Sequence, residues 1–151
     1  MNRSREGVAI RRVEPADAPR LAELLTQLGY PATADEVSDR LKYWVHDPKS
    51  VVLVAERHGQ VVGCLSLHAI PYLERTGQWA RIESLIVDES ARGEGLGRSL
   101  VAAAESTARE WGCLAMEVTS SRARADAHAF YVQMGYVDHC DQAGRFFKTL
   151  D

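Results

Sequence analysis

The chain has 151 residues, a formal net charge of -3 and ordinary shares of apolar and charged residues, which suits one domain with one core, residues 1–151. The charge disfavours a broad basic face for nucleic acid, and no apolar run approaches the ~20 residues that span a bilayer. Met1 to Arg12 has arginines but no hydrophobic segment behind them, so no secretory signal is expected and a cytoplasmic location follows.

Val8 to Val13 reads as a first strand, ended by Glu14-Pro15. Asp17 to Leu28 carries Leu21, Leu24, Leu25 and Leu28, the spacing of one helix face, and Gly29 and Pro31 stop it. Thr33 with Glu36 forms a capping-box pattern for a second helix, whose buried face is Val37, Leu41, Trp44 and Val45 and whose end is Asp47-Pro48. Val51 to Glu56 and Val61 to Ile70 are strands. The turn Arg57-His58-Gly59-Gln60 is so short that they must be antiparallel.

Pro71 to Gln78 is a loop, and Trp79 to Val87 a fourth strand. A third helix runs from about Gly95 to Trp111, with Leu96, Leu100, Ala104, Thr107 and Trp111 inside and Gly112 after it. Cys113 to Thr119 is a strand, Ser120 to Ala125 a loop, and Asp126 to Met134 a short helix ended by Gly135. Tyr136 to Asp138 and Arg145 to Leu150 read as a last hairpin. Only the crossover through the third helix has to be parallel. The fold class is therefore α/β (α+β): a single mixed, mostly antiparallel sheet of about seven strands with helices on both faces.

Cys64, Cys113 and Cys140 are odd in number and lie in strand-like surroundings; they read as buried free thiols of a reducing compartment. His139 adjoins Cys140 on an expected strand and so points to the opposite face, which argues against a nucleophilic cysteine.

The stretch with the most chemistry is Ile82 to Trp111: an apolar strand, then Arg92-Gly93-Glu94-Gly95-Leu96-Gly97, then a helix N-terminus. In that order, backbone N–H groups can point at an anion. A P-loop needs a lysine after the last glycine, and none is present. A dinucleotide loop needs a further glycine where this chain has Arg98-Ser99-Leu100. Arg/Gln-x-x-Gly-x-Gly is met in full. Glycines that only make a tight turn are the bland alternative, but three in five residues cost chain entropy with nothing to offset it.

At these residues the chain resembles the GNAT superfamily, the acetyl-CoA-dependent N-acetyltransferases. A second anchor is Asp126-Ala127-His128-Ala129-Phe130-Tyr131-Val132-Gln133-Met134-Gly135-Tyr136, similar to the family's Ala-x-x-x-Tyr-x-x-x-Gly-Phe/Tyr segment. The resemblance implies a sheet splayed between the fourth and fifth strands, with a bulge in the fourth. It implies that acetyl-CoA pairs with the backbone of Leu85, Ile86 and Val87. Its pyrophosphate would lie on Arg92, Gly93, Glu94, Gly95, Leu96 and Gly97, with Arg98 at the edge. Tyr131 would sit near the thioester sulfur as general acid, touching the cosubstrate. No metal is implied.

The reaction implied is direct attack of a neutral amine on the thioester carbonyl. An amine with a pKa near ~10 must first lose a proton. Glu83 is the candidate base, a carboxylate in an apolar strand; an outward-facing Glu83 paired with Arg81 or with a neighbouring strand is the other reading. His68 and His128 are further candidates. Many family members carry Asn seven residues before the tyrosine, and here that position is Arg124, with Ser120 and Ser121 nearby. The resemblance assigns the amine acceptor to the first two helices, a loop and the last hairpin, which here supply Tyr43, Trp44, Tyr72, Glu74, Trp79 and Phe146. The expected acceptor is a small-molecule amine and the expected assembly a homodimer. A protein or peptide acetyltransferase, or an acetyl-CoA sensor without turnover, would share these motifs.

Overall fold

A computed structural model of the chain describes residues 3–4, 7–119 and 125–150, in two compact units, Met1–Thr119 and Ser120–Asp151. In the first unit, six strands stand in one sheet in the order of the sequence: β1 (Arg3–Ser4), β2 (Val8–Arg12), β3 (Ser50–Arg57), β4 (Gln60–Pro71), β5 (Gln78–Val87) and β6 (Met116–Val118). Every neighbouring pair is antiparallel except β5 with β6. The sheet is mixed, as expected from one crossover.

Local chemistry explains the boundaries. The helix α1 (Ala18–Leu28) ends at Gly29, whose φ of 101° is left-handed. It begins one residue later than its sequence pattern implies. Asp17 is engaged instead by Arg11, which donates to both carboxylate oxygens at 2.8 and 2.9 Å, and by the N–H of Glu14. Arg11 is the main cause holding the Asp17 carboxyl below the usual range. The helix α2 (Ala34–His46) opens on the expected capping box: Thr33 accepts from the N–H of Glu36, and Glu36 accepts from the N–H of Thr33. Between β3 and β4, His58 and Gly59 both take positive φ, 51° and 75°, the backbone of a primed hairpin turn whose twist matches its strands.

The strand period of two divides the core. Val52, Val54, Cys64 and Ile86 pack with Ala18, Leu21, Leu24, Val37 and Leu41 under α1 and α2. Leu53, Leu65 and Leu67 alternate with them and face the other way. There α3 (Leu96–Glu110) lies across β3, β4 and β5. Its buried stripe is Leu96, Leu100, Val101, Ala104 and Ala108. Thr107 and Trp111, expected inside, are only half-buried, because the stripe turns toward Ala108 in the last turn. No helix among the described residues is long and apolar enough to cross a membrane.

The second unit holds α4 (Ala125–Gln133), ended by Gly135 at φ 92°. The expected last hairpin is not formed as strands: residues 136–139 and 143–150 carry none, and the chain turns at His139, whose carbonyl accepts from Gln142 and Ala143. A strand needs a hydrogen-bonded neighbour, and within this unit the two arms do not supply one for each other. The expected strand from Cys113 likewise shrinks to Met116–Val118. Among the thiols only Cys64 is buried; Cys113 is intermediate, and Cys140 is exposed in a turn rather than on a strand.

One close approach fixes how α3 meets the sheet. A Cβ at Gly63 would stand 3.1 Å from Leu100 Cδ1 and 3.1 Å from the Ile86 carbonyl oxygen. Gly63→Val therefore overpacks this contact and lowers unfolding free energy by about 1–3 kcal/mol. The check is a lower urea midpoint at unchanged slope; an unmoved midpoint would mean that α3 does not rest there.

Candidate active site

β5 delivers the chain to the glycine loop through a tightly held corner. Asp88, 6% exposed, donates its N–H to the Val62 carbonyl at 2.8 Å. Its carboxylate accepts from the N–H and the hydroxyl of Ser90, both at 2.9 Å, and pairs with Arg20 of α1. Arg20 also donates to the Val61 carbonyl at 2.7 Å, so one guanidinium joins α1, β4 and this corner. The Ser90 N–H is the largest cause bringing the Asp88 carboxyl down to about 2; burial opposes it, and the Ser90 hydroxyl and Arg20 add to the lowering.

After a short 3-10 turn, Glu89–Ala91, the loop takes left-handed backbone at Gly93 (φ 82°) and Gly95 (φ 81°), and α3 starts at Leu96. A Cβ on either glycine would meet nothing within 4 Å. Their role is thus conformational and leaves open space over the loop. Among the described residues, no acceptor lies against the backbone N–H groups of residues 92 to 98. These unpaired donors at a helix N-terminus fit a pyrophosphate. Arg92 and Arg98 are exposed and have no carboxylate partner among the described residues, whereas Glu94 is paired with Arg57 from β3. The loop's only acid is therefore neutralised from the sheet.

The strand side of the loop has two irregularities. β5 pairs with β6 through three residues only, Ala80, Arg81 and Ile82, against Met116, Glu117 and Val118. From Glu83 to Val87, β5 has no strand on that side among the described residues, so backbone groups of Leu85, Ile86 and Val87 border an open edge. Against β4 the register steps from Leu67↔Ile82 to Ser66↔Ser84. Glu83 is the extra residue of a bulge.

Glu83 is exposed, on the face that carries Ser66 and His68 and lies opposite α3. Its Oε2 accepts from Ser66 at 2.7 Å and Ser84 at 2.8 Å. Arg81 is occupied by Glu117 and Thr119, so Glu83 is not paired with Arg81; its partner Ser66 belongs to the neighbouring strand β4, as the other reading also expects. On the same face, Trp44 of α2 lies tilted on His68, 5.5 Å between ring centroids, and Tyr43 meets Trp44 edge-on at 6.1 Å. Tyr72 stacks on Trp79 at 4.8 Å, and the Arg75 guanidinium lies over the Tyr72 ring at 4.3 Å; Glu74 is exposed. Burial, with the Glu83 charge a smaller cause, pushes the Cys64 thiol up to about 12, which makes it a poor nucleophile.

In the second unit, Tyr131 sits on α4, edge-on to Phe130 at 5.1 Å and to Tyr136 at 5.8 Å. Its carbonyl accepts from the Tyr136 N–H at 3.0 Å, closing the helix end. His128 is half-buried on the same helix, and Phe146 is 97% exposed. Ser120, Ser121 and Arg124 lie outside the described residues. Sequence reasoning passed over Ser66, Ser84, Arg20 and Asp88. Asp88-x-Ser90 just before the glycines was a legible signal for a side-chain turn; the Arg20–Asp88 pair, 68 positions apart, left none.

Residues 18–136 match the acetyltransferase (GNAT) family. The chain is 36% identical over 117 residues to the aminoalkylphosphonate N-acetyltransferase of Salmonella typhimurium, covering 77% of this chain and 73% of that one. It is 32% identical over 110 residues to the aminoglycoside N(6')-acetyltransferase type 1 of Klebsiella aerogenes, covering 69% and 72%. Among solved structures it resembles a transcriptional regulator from Bacillus halodurans C-125, with a TM-score of 0.82, 25% identity and 95% and 99% of the two chains covered.

The corner before the loop should titrate. Asp88 has its carboxyl lowered in the folded chain, so its contribution is complete above the ordinary carboxylate value and is lost as pH falls toward about 2. Asp88→Asn is expected to cost about 2 kcal/mol at pH 7, and that deficit should shrink between pH 4 and 2. Urea unfolding of both chains across this range is the check; a deficit constant with pH would assign the cost to packing.

Proposed function

The chain belongs to the acetyltransferase (GNAT) family and is an N-acetyltransferase, and on that premise we propose that it moves the acetyl group of acetyl-CoA to a primary amine on a small molecule. One observation carries this reading. A row of backbone N–H groups without acceptors among the described residues, 92 to 98, opens α3 directly after a strand whose edge, among those residues, is unpaired from Glu83 onward. Acetyl-CoA supplies the activated acyl group as a thioester; the remaining tasks fall to the chain.

Arg92, Gly93, Glu94, Gly95, Leu96 and Gly97 hold the pyrophosphate through their N–H groups and the positive end of the helix dipole, with Arg98 adding charge at the rim. Leu85, Ile86 and Val87 pair with the pantetheine arm along the open edge of β5, where a backbone N–H also faces the developing oxyanion. Glu83 takes the amine proton: its carboxylate is exposed, and Oε1 has no donor among the described residues. Tyr131 returns a proton to the departing sulfur; its family motif supports this. A small-molecule acceptor is supported by the acetyltransferases of aminoalkylphosphonates and aminoglycosides to which the chain is similar. Trp44, His68 and Tyr43 offer it an aromatic wall beside Glu83. The family match runs through both compact units, which supports one catalytic domain over 1–151. Three free cysteines suit a reducing cytoplasm, and a homodimer is the assembly carried over from the family.

Release of free thiol from acetyl-CoA over a panel of amines tests the activity. Turnover with at least one small amine is expected, and tight acetyl-CoA binding without thiol release for any amine would overturn it. Glu83→Gln should lower kcat/KM by about 10²-fold or more, most severely at low pH, where the amine holds its proton most firmly. A loss that is flat with pH would move the base elsewhere. Tyr131→Phe should lower kcat by about 10²-fold with little change in KM for acetyl-CoA; unchanged turnover across pH would end the acid role.

A further inference from the structure

Ser66 is a buried hydroxyl in an otherwise apolar stretch of β4, between Leu65 and Leu67, which are fully buried on the opposite face. Its hydroxyl donates to Oε2 of Glu83 at 2.7 Å, and Ser84 donates to the same oxygen at 2.8 Å. The bulge brings the three together. Ser66 and Ser84 are cross-strand partners, and Glu83 is the residue inserted beside them, so all three side chains emerge on one face. Among the described residues no group donates to Oε1 of Glu83.

We propose that Ser66 and Ser84 are positioning residues that clamp one oxygen of Glu83 and reserve the other, Oε1, for the proton of the acceptor amine. The inference rests on Glu83 being the base. An exposed glutamate has three side-chain torsions and samples many carboxylate orientations. Two hydroxyl donors converging on Oε2 select one of them. They occupy Oε2 and leave Oε1 the oxygen with free lone pairs. In the step itself the N–H bond of the amine breaks, its proton goes to Oε1, and the electron pair stays on nitrogen for attack on the thioester carbonyl. Ser66 and Ser84 keep their own protons throughout. Their contribution is orientation, so it must vanish when Glu83 can no longer accept a proton.

The test is a double-mutant cycle on the purified full chain, with kcat and KM for acetyl-CoA and amine measured by thiol release. Ser66→Ala together with Ser84→Ala should lower kcat about tenfold with KM for acetyl-CoA unchanged. Ser66→Thr, which keeps the hydroxyl, should restore most of the loss caused by Ser66→Ala. In a Glu83→Gln background the two alanines should add less than about twofold, because the group they orient is gone. An equal factor in both backgrounds would overturn the clamp and leave the serines a structural role. If Glu83→Gln alone keeps full activity, the base assignment itself falls, and the clamp with it. If Glu83→Gln is impaired while the serine variants keep the parent rate, the base stands and the clamp alone falls. Urea midpoints of each variant separate loss of folding from loss of orientation.

Discussion

The single extra residue in β5 sets the geometry on which the site depends. Strand side chains alternate with a period of two, so two even-numbered residues should share a face. Ile82 and Ile86 do not. Ile82 pairs with Leu67, on the α3 side, and Ile86 pairs with Cys64, under α1 and α2. The bulge at Glu83 changes the phase between them, and both isoleucines remain buried, each at 2% exposure. Without it, Ile86 would turn to the α3 face together with Ile82 and leave its place under α1 and α2. The inserted residue cannot be accommodated in either core, so it emerges as a side chain on the open face. The same position marks the end of pairing with β6. Strand phase and the emergent carboxylate thus have one structural cause.

The corner at Asp88 performs the complementary task of holding the end of that strand still. A loop of unpaired N–H groups is useful to an anion only if those groups already point the right way, since ordering them on binding would consume part of the binding energy. Arg20 and Ser90 hold Asp88 from two elements, and Asp88 in turn holds the backbone of β4. From there the path to the first turn of α3 is short. It includes one 3-10 turn with Ala91 fully buried and two left-handed glycines. The helix is seated by Leu100 against Gly63. Loop and strand are therefore fixed to the same sheet by separate contacts.

Much of this was legible in the sequence because it is encoded locally. The capping box at Thr33 and Glu36, the stop at Gly29, the turn at His58-Gly59 and the glycine loop each depend on residues within a few positions of one another, and all appear in the structure. The bulge was expected from family likeness, but its position at Glu83 depends on which β4 residue stands opposite, and cross-strand register is not written in either strand alone. The same holds for the Ser66–Glu83 contact and for Arg20 with Asp88. The last hairpin was inferred from apolar residues flanking a polar turn. That pattern also describes a segment without strand partners, and Phe146 and Phe147 are both exposed. Cys113 and Cys140 looked buried for the same reason: apolar neighbours in sequence are not neighbours in space.

Cys64 carries a consequence for chemical selectivity. It stands two residues from Ser66 on the same strand face, in the neighbourhood of the proposed acyl transfer. A thiolate there would compete with the amine and, by thioester exchange that releases CoA thiolate, divert the acyl group onto the protein. With the thiol pushed up to about 12, almost none is ionised near neutral pH. The burial that packs Cys64 under α1 and α2 also suppresses self-acylation, so the apolar core acts as a chemical filter that leaves nitrogen the productive nucleophile.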